Sequence, residues 1–109
     1  MMERFLRLSV GVESQDLMRR SFELRARGTV NSLREAAGLF QEAAGVTTSL
    51  MGRMVCLAHA AACVEAAGDY ELHASLVERA VDACTAMPRD LSCLLTSLLR
   101  GPDAPTFQH

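Results

Sequence analysis

Two cysteines and a histidine fall on one face of a helix predicted near the middle of the chain. Cys56, His59 and Cys63 stand at positions i, i+3 and i+7, a spacing that brings three side chains to the same side of an α-helix. Thiolate and imidazole groups are ligands that zinc prefers. If the chain folds back at Gly68, His73 comes close to Cys63 and provides a fourth donor. The spacing is therefore compatible with a metal site.

The same residues also have a purely structural interpretation. Cysteine is among the most frequently buried residue types and packs as a small apolar side chain. Zinc sites usually pair their ligands at close spacing across a loop, and the chain contains no C-x-x-C pair. We therefore predict no bound metal or other cofactor, and keep a metal- or thiol-dependent helical domain as the alternative.

A disulfide framework is not expected from the four cysteines. Folding about Gly68 places Cys84 beside Arg53 and Cys56 beside Val81, so no two thiols face each other. The start of the chain lacks the long apolar run of a secretory signal. We expect reduced thiols and a cytoplasmic protein; the arginines near the start leave a mitochondrial location as the alternative.

Composition favours a single helical domain. The chain has 109 residues, half of them apolar, and only five aromatics. Alanine, leucine, valine and methionine make up most of the apolar set. Alanine, leucine and methionine favour helices, whereas β-branched and aromatic residues favour strands. We predict an all-α domain over residues 1–100, because this length supports one core. Residues 101–109 hold two prolines and no apolar pattern, so we predict a flexible tail.

Glycines and capping residues divide the domain into about five helices. The first is predicted over residues 3–27 as one helix or two, and Gly28 ends it. Ser32 and Glu35 have the spacing of a capping box and predict the start of the second helix, which Gly45 closes. Thr47, Thr48 or Ser49 is predicted to cap the third, which runs to about residue 67.

The last two helices are predicted on either side of a proline. Gly68 is predicted to end the third helix and Asp69 to cap the fourth. Pro88 ends the fourth helix, and Asp90 caps a fifth that runs from about Leu91 to Arg100. The fourth helix is two-faced. Its predicted core stripe consists of Tyr70, Ala74, Val77, Val81 and Cys84.

The two glycine turns lie 40 residues apart, a spacing typical of helical-hairpin repeats. Residues 57–84 resemble a tetratricopeptide repeat. Residues 66–71 look like its inter-helix turn, and Ala61 and Ala80 occupy its small positions. His73 and Leu57 depart from its usual alanine and tryptophan. The resemblance implies antiparallel hairpins in a right-handed array, or a small bundle, that binds a helix or peptide in a groove. Modules of the microtubule-interacting-and-trafficking type share a similar turn and are an alternative.

Charge and hydropathy exclude two classes of partner. The formal net charge is −2, with seven arginines and four acids through residue 34 and four arginines and nine acids after it. Nucleic-acid binders need a concentrated basic field, so we predict no nucleic-acid partner. The uncharged stretch at residues 54–64 is shorter than the roughly 20 apolar residues that span a bilayer, so we predict no membrane span.

The surface suggests binding and not catalysis. There is no G-x-S-x-G turn and no phosphate-binding glycine loop, so we predict that the chain is not an enzyme, with a small regulatory enzyme as a third possibility after the metal- or thiol-dependent domain. The fifth helix carries more leucines than one core contact requires, which predicts a second surface for another protein or a second copy of the chain. These leucines are Leu91, Leu94, Leu95, Leu98 and Leu99.

A second candidate surface is basic. Arg19 and Arg20 on the first helix could dock an acidic segment, or could pair locally with Asp16 one turn earlier. Together these patterns predict a protein–protein interaction module: an adaptor, a chaperone or a small subunit of a complex.

Overall fold

Five helices make up the part of the chain that the structure describes. The structure is a computed structural model, and it describes residues 12–101. In it, α1 spans Val12–Arg27, α2 Val30–Val46, α3 Leu50–Ala66, α4 Tyr70–Thr85 and α5 Arg89–Arg100. No strand occurs within this range. The predicted all-α class is confirmed. The expectations for residues 3–11 and for the tail after residue 101 lie outside the described residues.

The turn between α3 and α4 forms as the sequence predicts. Gly68 adopts the left-handed conformation, with φ of +89°, and the Asp69 backbone N–H donates to the carbonyl of Val64 at 2.8 Å. The Asp69 carboxylate accepts a hydrogen bond from the Leu72 backbone N–H at 3.1 Å and so caps α4. Ser49 caps α3 in the same way, accepting from the Gly52 N–H at 3.0 Å.

Two predicted helix starts are wrong. The capping box of α2 pairs Thr29 with Ser32, not Ser32 with Glu35: the Ser32 N–H donates to the Thr29 hydroxyl, and the Thr29 N–H donates to the Ser32 hydroxyl. Helix α2 therefore begins three residues earlier than predicted. Ser32 was predicted as the cap residue, but it is the third helical residue of a box whose cap is Thr29. At α5, Pro88 takes the cap position with an extended backbone and makes no side-chain cap, and Asp90 lies within the first turn, where its charge faces the positive end of the helix dipole.

Each helix packs mainly on the next one along the chain, with further contacts between alternate helices. Met18 on α1 meets Cys56 on α3, and Arg79 on α4 donates a hydrogen bond to Gln41 on α2 at 3.1 Å. The core lies between α1, α2, α3 and α4. Its largest fully buried side chains are Phe40, Leu76 and Val64. The result is a small bundle of stacked helices that is compatible with a helical repeat.

The core face of α4 differs from the predicted stripe. Tyr70 is 69% exposed and Ala74 is also exposed. The second half of the predicted stripe is confirmed, since Val81 and Cys84 are buried and Val77 packs against the core. A further apolar row is buried beside it, because α3 on one side and α5 on the other together fix how α4 is rotated. The buried residues of α4 are Leu76, Ala80, Val81, Ala83 and Cys84.

Gly38→Ala is expected to stabilise the domain by about 0.5–1 kcal/mol, because glycine within a helix costs conformational entropy. The position is exposed, and a Cβ added there meets nothing within 4 Å. Gly68→Ala is the matched control. It should destabilise by about 1–2 kcal/mol, because Gly68 has a positive φ that alanine adopts at a cost. Chemical denaturation followed by circular dichroism measures both; a Gly38→Ala variant that is less stable than the parent contradicts the prediction.

Candidate functional site

Helix α5 presents a row of exposed leucines. Leu91, Leu94 and Leu98 are spaced at i, i+3 and i+7 and are 36%, 58% and 68% exposed. This leucine stripe, defined by these three residues, extends for about 10 Å along the helix. Burying a fully exposed leucine is worth roughly 1.5–3 kcal/mol, and each side chain of the stripe gains the share of this that its exposed fraction represents. A row of them therefore favours association with another apolar surface.

The predicted leucine cluster divides into two sets. Leu95 and Leu99 are half-buried and pack against the core together with Met87, so they hold α5 in place. The stripe lies on the adjacent side of the helix. Because no residue of α5 is fully buried, the helix is amphipathic yet only partly covered by its own domain.

One ion pair links the polar side of α5 to α4. Arg100 lies 3.3 Å from the carboxylate of Glu78, and both side chains are well exposed to water. Such surface pairs contribute between zero and about 1 kcal/mol. Packing of Leu95 and Leu99, and not this pair, therefore sets the position of the stripe.

The basic candidate surface on α1 is partly neutralised. Arg19 lies 2.6 Å from Asp16 and 2.9 Å from Glu23, and these carboxylates raise the pKa of its guanidinium. Arg20 is exposed and makes no ion pair with the side chains that the structure describes, those of residues 15–101. The alternative of local pairing is thus the one observed for Arg19.

His59 lies in an aromatic clamp between α1 and α2. Its ring stacks on Phe40, with centroids 5.3 Å apart, and meets the edge of Phe22 at 5.2 Å. Arg25 Nη1 donates a hydrogen bond to His59 Nδ1 at 2.9 Å, which requires that Nδ1 be unprotonated. Burial, and then the nearby Arg25 charge, lower the pKa of His59 from 6.5 to about 4.

The candidate metal ligands do not form a cluster. His73 is directed at the backbone, with Nδ1 3.0 Å from the Ala61 carbonyl, and its Nε2 lies 3.6 Å from the Glu65 carboxylate. Among the described residues, no three His, Cys, Asp or Glu side chains converge as a metal site would need. The Nδ1 lone pair of His59 accepts the hydrogen bond from Arg25, so it is not directed at a metal site.

Three of the four thiols are enclosed by the fold. Cys56, Cys63 and Cys84 are buried and Cys93 is exposed, and all four are free. Burial raises the pKa of the Cys56 thiol to about 12 and also raises those of Cys63 and Cys84. Since the thiolate is the reactive form, a thiol reagent will modify Cys93 first.

Residue spacing predicted the leucines of α5 and the cysteine–histidine face of α3, but it did not predict the contact between Arg25 and His59. A histidine on a helix that is otherwise almost wholly apolar needs a polar partner, and this was the one indication in the sequence that such a contact exists.

No protein-family model, curated protein or solved structure matches the chain. The described helices include none that is long and apolar enough to cross a membrane.

Proposed function

We propose that this domain is a protein-interaction module and not an enzyme, and that it holds an amphipathic helix of another protein on the leucine stripe of α5. The observation that carries the proposal is the exposure of Leu91, Leu94 and Leu98 on a helix whose other apolar side is already packed. A helix with apolar residues at the same spacing could bury them against the stripe.

We further propose that the stack is of the tetratricopeptide type. In such an array α1 and α2 form one hairpin, α3 and α4 the next, and α5 begins a third unit. Contacts between equivalent helices support this assignment: Met18 on α1 meets Cys56 on α3, and Gln41 on α2 meets Arg79 on α4. Because each repeat in such an array buries its faces on its neighbours, the leucines of α5 that α4 leaves exposed are those against which a further helix would pack.

The double substitution Leu94→Asp and Leu98→Asp is expected to abolish partner binding without unfolding the domain. Both side chains are mostly exposed, so the folded state loses little packing, whereas a carboxylate facing an apolar helix surface remains without a partner. A photo-crosslinker attached to exposed Cys93 reports what lies beside α5 in extract from the source cells. We expect mass spectrometry to find crosslinked peptides with apolar residues at i, i+3 and i+7.

Ser97→Asp is the matched control, because it adds a charge to the same helix at an exposed polar position. Its crosslinks should match those of the parent, and circular dichroism should show all the variants folded. Crosslinks that persist in the double variant would contradict the proposal. Crosslinks to the chain itself would instead assign the stripe to a second copy of this protein.

A further inference from the structure

Among the described side chains, α1 and α3 are joined by two hydrogen bonds, one from Arg25 to His59 and a weaker one from the Cys56 thiol to the Met18 sulfur. The contact between Arg25 and His59 is the one of the two that involves a charged group. The donor is a permanent cation, and the acceptor is a ring nitrogen that can take up a proton. A proton on Nδ1 removes the acceptor and places two positive charges within hydrogen-bond distance of each other. The link therefore exists only while His59 is neutral.

We propose that this hydrogen bond is an acid-sensitive latch: protonation of His59 breaks it and releases α1 from α3. The proposal concerns regulation of the fold and does not depend on the leucine stripe of α5.

None of the described groups around His59 carries a negative charge that would stabilise the protonated ring. From α1, Arg25 faces it as a cation, and from α2 the Phe40 ring covers one side. On α3 itself, the thiols of Cys56 and Cys63 lie one turn away on either side, and burial keeps them protonated. On α4, the histidine His73 lies against the Ala61 carbonyl and faces the Glu65 carboxylate. No carboxylate of the described residues pairs with Arg25 or His59.

Helix α1 is the element that moves, because it is held least tightly of the three around the ring. In the part of α1 whose side chains are described, only Met18 and Ser21 are buried, whereas α2 buries seven residues and α3 eight. Ser21 satisfies its hydroxyl within α1, on the Leu17 carbonyl at 2.7 Å. Lifting α1 carries Phe22 and Arg25 away together and lets water reach the imidazole.

The cysteines provide built-in reporters of this motion. The Cys56 sulfur lies 3.5 Å from the Met18 sulfur, so α1 covers it directly. Cys84 is buried on α4, beyond α3 in the stack, and exposed Cys93 reports the intrinsic reactivity of a thiol at each pH. A disulfide reagent that reacts in mild acid, such as 4,4′-dithiodipyridine, followed by peptide mass spectrometry, measures all three rates in the full chain.

Relative to Cys93, we expect Cys56 to react about twentyfold faster at about pH 5 than at about pH 7, given the shift of the His59 titration from 6.5 to about 4. At the lower pH, Cys56 should react well before Cys84. In His59→Gln, whose side-chain carbonyl still accepts from Arg25 but does not titrate, the acid-induced increase should disappear.

Three results would overturn the latch. Equal rates for Cys56 and Cys84 at about pH 5 mean that the whole domain unfolds. A Cys56 rate that does not change relative to Cys93 means that Arg25 rotates away while α1 stays in place. An increase that persists in His59→Gln means that another group carries the effect. The comparison of thiols within the parent chain decides the first two outcomes even if the variant does not fold.

Discussion

Replacing Phe40 by alanine is expected to destabilise the domain by about 3–5 kcal/mol, the usual cost of deleting a fully buried aromatic side chain. Phe40 has no exposed surface, lies between α1 and α3, and contacts both Phe22 and His59. The substitution leaves a cavity at the centre of the core and removes one side of the aromatic clamp. Urea denaturation followed by circular dichroism measures the loss.

Leu39→Ala is the matched control, since it truncates the neighbouring side chain of α2 at a half-buried position outside the core cluster. We expect a loss of less than about 1 kcal/mol there, because less apolar surface returns to water. A Phe40→Ala variant whose stability falls no further than that of Leu39→Ala would show that Phe40 is not a centre of the core.

Acidification is expected to remove up to about 3 kcal/mol of stability through His59 alone. Its pKa is lowered from 6.5 to about 4 in the folded chain, so between these values the unfolded state binds more protons than the folded state. The contribution is complete above about pH 6.5, decreases as the pH falls, and is lost by about pH 4. Denaturation curves collected across this range measure the free energy of unfolding at each pH.

Comparison with variants isolates the histidine from the acidic residues that also titrate in this range. In His59→Gln, the free energy of unfolding should fall less between about pH 6.5 and pH 4 than it does in the parent. His73→Gln removes a different, half-exposed histidine and leaves His59 in its clamp, so it should retain the parent's acid sensitivity. Parallel pH profiles for the parent and His59→Gln would refute the assignment.

The hairpin at Gly68 shows what local sequence predicts well. A glycine with positive φ, an aspartate cap and apolar periodicity on either side act within a few residues, so their effect can be predicted without knowing the rest of the fold. The start of α2 was predicted less well, because Thr29 and Ser32 both have capping side chains and only the path of the chain decides which of them comes first.

The rotation of α4 shows where local information ends. Its sequence contains two apolar rows, and periodicity gives no reason to bury Leu76 in place of Tyr70. Packing against α3 and α5 selects the row, since burial depends on which neighbours are present and not on the helix alone. The same holds for α5, where the sequence predicts a surplus of leucines but not which of them remain exposed.

The all-α class, the helical hairpin and the surplus of leucines on the last helix can be predicted from composition, capping and 3.6-residue periodicity. Packing between helices was needed to separate Leu91, Leu94 and Leu98 from Leu95 and Leu99. It was also needed to bring Arg25 against His59. That contact joins residues 34 positions apart on different helices. Whether the two residues meet depends on how α1 crosses α3, and that crossing cannot be predicted from residue spacing within one helix.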